Sequence, residues 1–375
     1  MRDDRTEGLQ KIAQFTPMAD ALARISAPLK PVPAQTLETS EALGYTLAQD
    51  VDIDVCMPPA AVALRDGWAV RSELTTDASP YAPTPVPGAT WIETGSALAS
   101  EHDAVLPIEA AIARAGVVQA VAAATPGEGI LPASADVPPD DRTLRAGRRI
   151  NCLQAALLQK AHIESVQVRI PRLRLARARG DADWVFDTAL ECIAEAIRCN
   201  GAVVAGETSN ELEELFSEQT SDAFVLIGGS GCGRRDRVVR MLASMGELVM
   251  HGIALVPGET SAFGFTKNSR PVLVLPGRLD AAFAAWHVLG RALLQKLAGN
   301  TEPLVTATAT LTQKVTSAGG IAELVPVHCD GFTATPLGSG YLPAAILARA
   351  NGWILIGPES EGYPAGTDVA IRPWP

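Results

Sequence analysis

The sequence predicts a multidomain fold of the α/β plus β class, with a doubly wound α/β domain, two β domains and a connecting subdomain. Three observations support this prediction. The chain has 375 residues and 47% hydrophobic composition, which suits roughly two to four domains. Residues 171–300 alternate between strand-like and helix-like segments, as a parallel sheet requires. Residues 36–147 and 301–375 hold short β-prone segments separated by Gly and Pro.

The N-terminal half begins with an amphipathic helix. In FTPMADALARISAPL, apolar residues recur at helical spacing after a Thr-Pro start, namely Met18, Ala19, Leu22, Ala23 and Ile25. From 36 to 147, the segments YTLAQDVDIDV, GWAV, WIETG and DAVLPI predict a small β domain. Within 148–170, INCLQAALLQKAHI predicts a helix and VQVRI a strand. We expect this last region to join residues 1–35 in a connecting subdomain.

The α/β domain is predicted over 171–300. Its strand-like segments are RLRLARA, AVVAG, AFVLIGG, ELVMHGIAL and PVLVLPG, and its helix-like segments are DTALECIAEAIRCN, ELEELFSEQ, DRVVRMLASMG and residues 279–297. Residues 301–375 contain TATATLTQKV, LVPVHC, GWILIG and DVAIRP, which predict a small β-barrel or sandwich.

The first α/β strand has an unusual pattern. A buried parallel strand is normally almost continuously apolar, but here apolar residues alternate with arginines at 172, 174, 177 and 179. A position at the sheet edge, or an acidic partner surface, would each account for these charges.

Composition excludes several classes of protein. A net charge of −11 argues against nucleic-acid binding, since nucleic-acid-binding domains are usually basic. The six cysteines form no C-x-x-C pair, which indicates thiols in a reducing compartment rather than a zinc site. The charged N-terminus MRDDRTEGLQK lacks the apolar stretch of a signal peptide, and no apolar run is long enough for a membrane span. We therefore expect a cytoplasmic protein.

The stretch IGGSGCGRRD, residues 227–236, is the strongest local signal for a ligand. Its glycines lie where a buried strand passes to a helix, which is the ligand-binding edge of a parallel sheet. Bare backbone amides and a helix start favour an anion such as phosphate. The spacing matches neither the P-loop nor the dinucleotide-binding fingerprint. A tight turn without a ligand is the alternative, and Asp236 is well placed to cap the helix.

Five segments, in order, carry a resemblance that extends over nearly the whole chain. They are MPPAAVALRDGWAV (57–70), ETGSALASEHDAVLPIE (93–109), SDAFVLIGGSGCGRRD (221–236), HGIALVPGETSAFG (251–264) and VLPGRLDAAFA (274–284). Together they resemble the signature segments of the molybdopterin molybdenumtransferase family, which includes the bacterial molybdate-insertion enzyme and the E domain of gephyrin. The resemblance implies a homodimer with four subdomains: an elongated one (1–35 with 148–170), an inserted β domain (36–147), a molybdopterin-binding α/β domain (171–300) and a C-terminal β domain (301–375).

The resemblance also implies a reaction. Members of the family bind adenylylated molybdopterin, release AMP and place molybdate on the dithiolene sulfurs, using Mg²⁺ or a similar ion. The expected ligand is therefore a pterin phosphate, and a molybdoenzyme or a cofactor carrier is a possible partner. The alternative is a catalytically reduced paralogue that carries finished cofactor or acts as a scaffold.

Site residues follow from the matching segments. The positions that match acids or threonine of the family are Asp66, Thr94, Asp136, Asp222 and Asp236, and these are the candidate catalytic residues, with Asp222 and Asp236 as candidate metal ligands. We expect Asp66, Thr94 and Asp136 to face the glycine loop across a cleft. The candidate cofactor-binding residues are Gly228, Gly229, Ser230, Gly231, Gly233, Arg234, Arg235, Pro257, Gly258, Pro276, Gly277 and Ser339.

The chain also departs from the family. Two lysines that flank Pro-Gly in the family are replaced by Val256 and Glu259, and a carboxylate there should weaken oxyanion binding. The glutamate of a Thr-Gly-Asp-Glu motif is missing, with Asp181 and Asp183 as the nearest acids. Arg234 and Arg235 are candidates to replace the lost lysines, because guanidinium groups suit phosphate and molybdate oxygens. The alternative for both is an exposed first helical turn.

Overall fold

The protein is described by a computed structural model that covers residues 10–114, 116–138, 140–178, 184–205 and 212–374. The chain divides into two compact units. The first unit takes the described residues of Met1–Gln49, Ala146–Ala155 and Ser165–Pro375, and the second those of Asp50–Arg145 and Ala156–Glu164. Within these residues, no helix combines the length and apolarity that a bilayer crossing requires.

Apart from one short helix in the C-terminal region, the described helices lie where the sequence predicts them. They are α1 (Met18–Ser26), α2 (Cys152–Lys160), α3 (Trp184–Cys199), α4 (Leu212–Ser217), α5 (Val238–Met245), α6 (Leu279–Ala285), α7 (Arg291–Ala298) and α8 (Ala344–Leu347). A π-helical turn, Trp286–Gly290, joins α6 to α7. Helix α1 buries Ala21 and Ile25 in the main core of the first unit.

The strands are short before residue 160 and longer after it. In the first part they are β1 (Gln35–Glu38), β2 (Thr46–Leu47), β3 (Val51–Asp52), β4 (Val62–Ala63), β5 (Gly67–Val70), β6 (Thr84–Pro85), β7 (Thr90–Ile92), β8 (Ala104–Pro107), β9 (Ala111–Arg114), β10 (Val117–Ala120), β11 (Ile130–Leu131) and β12 (Thr143–Leu144). Then follow β13 (Ser165–Arg169), β14 (Arg172–Arg177), β15 (Val203–Val204), β16 (Ala223–Ile227), β17 (Gly246–His251), β18 (Leu255–Val256), β19 (Ala262–Thr266), β20 (Pro271–Leu275), β21 (Ala307–Leu311), β22 (Val315–Thr316), β23 (Ala322–Asp330), β24 (Thr333–Pro336), β25 (Gly352–Ile356), β26 (Gly362–Tyr363) and β27 (Asp368–Pro373).

The second unit is built from small sheets. Its sheets have the orders β7-β5-β8, β6-β10-β9, β11-β4 and β12-β3. Two small apolar cores hold them together, one around Val70 and Leu106 and the other around Ala69 and Val105. Consecutive residues of β5 thus serve opposite cores, as the alternation of a strand requires. The division of the chain into four subdomains stays a prediction.

The α/β sheet of the first unit has the order β15-β14-β16-β20-β19-β17. Its first four strands are parallel, while β19 and β17 are antiparallel additions. From β14 the chain winds outward to β15 and then returns to β16 on the other side. The strand order therefore reverses between β14 and β16, and the carboxyl ends of such strands form the usual ligand crevice.

Two of the arginines of β14, Arg174 and Arg177, pair inside the domain, while the Arg172 side chain is exposed. The strand is internal to the sheet, so a position at the sheet edge does not account for them. Arg177 pairs with Asp187 of α3, and Arg174 contacts Glu218 at 3.7 Å and donates to the Ala205 carbonyl. β15 pairs with only the first two residues of β14. Arg179 lies outside the described residues.

The segment ELVMHGIAL forms two strands, so its prediction as one strand is wrong. Gly252, with φ of 89°, ends β17. The chain then turns away from the α/β sheet, and β18 pairs with β23 of the C-terminal sheet. A β carbon at Gly252 would lie 2.3 Å from Ile12, so both the turn and the close contact require glycine there.

The C-terminal region closes into a barrel, which confirms the predicted β-barrel-like domain. Five strands pair in a ring, β23-β24-β21-β27-β25, and β25 returns to β23. The interior is filled by alternating strand residues such as Val325, Val327, Ile354 and Ile356. The observed architecture is therefore multidomain α/β plus β, as the sequence predicts.

Candidate functional site

A cavity of about 270 Å³ opens beside the glycine loop that follows β16. Three chain segments meet there. The carboxyl ends of the neighbouring parallel strands β16 and β20 lie at one edge of the sheet, and antiparallel β19 begins at the same edge. The residues that line the cavity are Gly228, Gly229, Gly231, Asp236, Glu259, Thr260, Pro276, Gly277, Arg278 and Ala281. The cavity thus contains six of the predicted site residues, together with Glu259, the residue at one of the altered lysine positions.

The first part of the loop depends on glycine. Gly228 and Gly229 have φ of 89° and 72°, a region that favours glycine. A β carbon at Gly229 would lie 2.4 Å from Val238 at the start of α5 and 2.9 Å from Ala178. The absence of a side chain therefore lets α5 pack closely against the sheet edge.

Asp236 fixes the second part of the loop. The Gly233 N–H donates to its Oδ2 at 2.9 Å, and a β carbon at Gly231 or Gly233 would lie 2.8 Å from the same oxygen. Helix α5 starts at Val238 and its N-cap is Arg237, with no side-chain cap bond. The carboxylate therefore stabilises the turn before the helix, and the expectation that Asp236 caps the helix is wrong.

The side chain of Gln10 holds the loop from the far N-terminus of the chain. Its amide nitrogen donates to the carbonyls of Gly229 (3.0 Å) and Gly231 (2.7 Å), and its Oε1 accepts from the Arg240 N–H (3.1 Å). Gln10 is 3% exposed. One backbone N–H at the start of α5, that of Arg240, is thus bonded within the chain. Local sequence patterns gave no signal for this contact.

Ser230 faces away from the solvent. It is 1% exposed, and its Oγ lies 3.1 Å from Thr260 Oγ1. The ring Nε2 of His251 lies 2.8 Å from the Ser230 carbonyl, so the loop is also bonded to β17. Ser230 connects two of the cavity segments.

Pro257 and Gly258 form the buried turn that presents Glu259 and Thr260 to the cavity. Glu259 Oε2 accepts the Gly258 N–H at 2.9 Å, and Ser261 Oγ donates to the Gly258 carbonyl at 2.7 Å. Gly258 has φ of 135°, outside the range that side chains readily adopt. The carboxylate that replaces a family lysine therefore lies at the cavity wall.

Arg278 is a cation of the cavity that sequence reasoning missed. Its Nε and Nη2 donate to Asp280 at 3.0 and 2.8 Å, and its guanidinium stacks 5.4 Å from the Tyr341 ring. Bonding to Asp280, and then the charge of Glu259, raise the pKa of Arg278, so it stays charged.

Asp280 is the rigid support of that arginine. It is 2% exposed and also accepts the N–H groups of Ala281 (2.8 Å) and Leu342 (3.0 Å). Leu342 and Tyr341 belong to the barrel loop that contains Ser339. Ser339 itself is exposed and does not line the cavity. The sequence did contain a signal for Arg278 and Asp280, because RLD (278–280) directly follows the Pro276-Gly277 pair.

Arg234 and Arg235 lie elsewhere. Both are exposed in the turn before α5, and neither belongs to the residues that line the cavity. Among the described residues, Arg278 is the cation that lines it. Positive charge at the cavity wall therefore comes from Arg278 and not from Arg234 or Arg235.

Asp222 and Asp236 are not brought together. Asp222 precedes β16 and Asp236 follows the loop at the other end, so the strand separates them by about 15–20 Å. Asp222 accepts the Arg172 N–H at 2.8 Å and lies 3.8 Å from Arg270. One metal ion cannot contact both carboxylates, so the structure does not support the predicted metal pair. No group of three or more metal-binding side chains converges within the described part of the chain. Asp181 and Asp183 lie outside it.

Asp66, Thr94 and Asp136 belong to the second unit. The Thr94 N–H and Oγ1 donate to Asp66 Oδ1 at 2.7 and 2.9 Å, and these bonds lower the pKa of Asp66. Asp136 lies 3.6 Å from the Lys160 ammonium, and its N–H donates to the Met57 carbonyl. Asp66 and Thr94 therefore form a bonded pair, whereas Asp136 is paired separately.

Comparison with known proteins defines the class. Three domain models match in succession: the MoeA N-terminal region (domains I and II) over residues 16–161, a probable molybdopterin-binding domain over 183–296, and the MoeA C-terminal region (domain IV) over 308–374. A chain with these three regions in this order is a MoeA-type protein. It belongs to the molybdopterin molybdenumtransferase family.

Individual relatives agree with this assignment. The chain is 28% identical over 336 residues to molybdopterin molybdenumtransferase 1 of Mycobacterium tuberculosis, covering 75% of this chain and 78% of that protein. It is 23% identical over 369 residues to a putative molybdopterin biosynthesis protein of Methanocaldococcus jannaschii, covering 88% and 90%. A molybdopterin biosynthesis MoeA structure from Pyrococcus horikoshii matches at a TM-score of 0.72 with 22% identity, over 96% of this chain and all of that one, which shows the fold.

Proposed function

We propose that this protein is a molybdopterin molybdenumtransferase, which binds adenylylated molybdopterin, releases AMP and inserts molybdate. Family membership supports the reaction. The observation that carries the proposal for this particular chain is the cavity beside the glycine loop, lined by a fixed, charged Arg278.

The size of the cavity sets what it holds. Its volume of about 270 Å³ is below the roughly 300–1,000 Å³ of pockets that enclose whole ligands. We therefore assign it to the anionic end of the substrate or to molybdate, with the rest of the pterin nucleotide extending outside. The glycine loop leaves backbone uncovered for close approach of an oxyanion.

Arg278 compensates for the loss of the family lysines. A guanidinium fork binds two oxygens of a phosphate or molybdate, and charge-assisted bonds of this kind are stronger than neutral ones. Asp280 occupies two donors of Arg278, so the remaining N–H groups are held in a fixed orientation. The binding of an oxyanion near Glu259 is then opposed by one carboxylate and favoured by one arginine.

We propose that Mg²⁺ binds at this cavity together with the substrate phosphates. Mg²⁺ commonly uses one or two carboxylates and completes its coordination with phosphate and water oxygens. Asp236 and Glu259 both line the cavity and supply such carboxylates, whereas Asp222 does not. When bound, the ion would neutralise phosphate charge.

Asp66, Thr94 and Asp136 stay proposed functional residues, as does assembly into a homodimer. The bonded Asp66 and Thr94 pair supports the proposal because it holds an exposed carboxylate in one orientation. A molybdoenzyme or carrier that receives the cofactor is proposed on the same family basis.

Substitutions at Arg278 test the assignment. Arg278→Gln removes charge-assisted bonds of about 1.5–3 kcal/mol, so kcat/KM for molybdate-dependent AMP release should fall roughly 10- to 100-fold. Arg278→Lys keeps the charge and should give an intermediate value. Arg349→Gln, at an exposed position between α8 and β25, is the matched control. A loss in Arg234→Ala or Arg235→Ala with none in Arg278→Gln would contradict the assignment.

A further inference from the structure

A second and larger cavity, of about 720 Å³, lies in the first unit away from the glycine loop. It is bounded by α1, the π-helical turn with α7, residues 300–305, and strands β25 and β27 of the barrel. None of the residues that line it also lines the glycine-loop cavity. Its volume is in the range of pockets that enclose a small organic molecule.

The cavity is positively charged although the protein is strongly acidic. Four arginines line it, Arg148, Arg149, Arg291 and Arg372, against one acid, Glu302. Glu302 accepts the Arg149 backbone N–H at 3.3 Å. The whole chain has a net charge of −11, so this cavity is opposite in sign to the protein as a whole.

Two of these arginines lie partly buried without an acidic partner. Within the described residues, neither Arg291 nor Arg372 forms an ion pair, and Nε of Arg372 is buried with no hydrogen-bond partner. Arg372 stacks on Trp353 at 4.8 Å. Burial lowers the pKa of both arginines, and for Arg291 the charges of Arg149 and Arg372 lower it further. A buried charge is costly unless it is paired. The two unpaired guanidinium groups therefore destabilise the protein when no anion is bound.

His287 provides an independent observation. It lines the same cavity at 5% exposure, and both of its ring nitrogens are buried without a hydrogen-bond partner. The ring stacks on Trp374 with centroids 5.5 Å apart. Buried polar atoms are normally bonded, so two unpaired nitrogens at a cavity wall indicate a missing partner.

We propose that this cavity binds a small organic anion, whose carboxylate or phosphate pairs with Arg291 and Arg372 and whose apolar body packs against the neighbouring apolar wall. That wall includes Met18, Leu22 and Leu355. The guanidinium groups recognise the oxyanion, and His287 offers one ring nitrogen as a hydrogen-bond donor. The site is separate from the one that we assign to molybdenum insertion.

Calorimetric titration of the full-length protein tests the proposal. The probes are phenyl phosphate and benzoate, which distinguish phosphate from carboxylate, with inorganic phosphate for the head group alone and benzyl alcohol as the uncharged control. We expect at least one organic anion to bind at least about tenfold more tightly than benzyl alcohol, and the double variant Arg291→Gln with Arg372→Gln to weaken it at least about tenfold. Arg114→Gln, at an exposed position of β9 in the second unit, should bind as the wild type does.

Thermal stability provides the second readout. Without anion, the double variant should melt at a higher temperature than the wild type, because it removes unpaired buried charges. A lower melting temperature would show that the arginines already have partners and would overturn the proposal. So would equal affinity in the double variant and wild type, or binding of benzyl alcohol as tight as that of the anions. Sedimentation gives the last outcome: if the variant dissociates an oligomer and leaves probe affinity unchanged, a second copy fills the cavity and the proposal fails.

Discussion

Protonation of His287 should make the stability of this protein depend on pH. Burial, and then the charge of Arg291, lower the pKa of this ring from 6.5 to about 3. Between these values the ring binds a proton in the unfolded chain but not in the folded one. Its contribution therefore favours folding fully above pH 6.5 and is lost as the pH falls toward 3.

The magnitude follows from the pKa difference. Each pH unit in this window costs about 1.4 kcal/mol, so lowering the pH from 8 to 5 should cost about 2 kcal/mol through His287 alone. The substitution His287→Phe removes the titration and keeps a ring against Trp374 and Phe283. The variant should therefore gain about 2 kcal/mol of unfolding free energy relative to wild type when the pH changes from 8 to 5.

Urea unfolding at the two pH values measures this difference. Buffers without phosphate or aromatic acids keep the large cavity free of anions. His328→Gln is the control, because this histidine is exposed on β23. If the unfolding free energies of His287→Phe and wild type differ by the same amount at pH 5 and at pH 8, the reasoning is refuted.

Two further predictions concern the glycine-loop cavity. Gly229→Ala should lower stability by more than 1 kcal/mol and reduce AMP release, since it combines positive φ with a 2.4 Å contact. Gly320→Ala is the control in urea unfolding, because Gly320 has φ of 85° but open space around it and so reports backbone strain alone. A smaller loss at Gly229 than at Gly320 would contradict this. Asp280→Asn should lower the free energy of unfolding by about 2 kcal/mol and reduce AMP release, because Leu342 N–H and Arg278 lose a charged acceptor. Asp330→Asn, on the surface, is the control. Equal melting temperatures for the two variants would refute the role of Asp280.

Local patterns were sufficient for the fold class and the position of the loop. AFVLIGG is a continuous apolar run followed by glycines, and it forms buried strand β16 with the loop at its carboxyl end. The apolar run PVLVLPG likewise forms buried strand β20, with the Pro276-Gly277 turn at its carboxyl end, whereas the position of β20 beside β16 comes from the structure. These features depend on residues close in sequence, where periodicity is informative.

Other features depend on contacts that no local pattern contains. Gln10 bonds to residues 219 and 221 positions away. The argument against one metal ion shared by Asp222 and Asp236 was present in the sequence, since a strand between them places the two carboxylates at opposite edges of the sheet. Arg234 and Arg235 are the cations nearest to the glycines in sequence, whereas Arg278 is the one that lines the cavity, held by buried Asp280.

The most direct test of the proposed function is a single-turnover assay of the wild-type protein with adenylylated molybdopterin, Mg²⁺ and molybdate. Released AMP and the molybdenum bound to the pterin product are quantified together. The proposed function predicts one AMP and one inserted molybdenum for each substrate consumed, with AMP release dependent on molybdate. Tight pterin binding with no AMP release would contradict it and would favour a cofactor carrier.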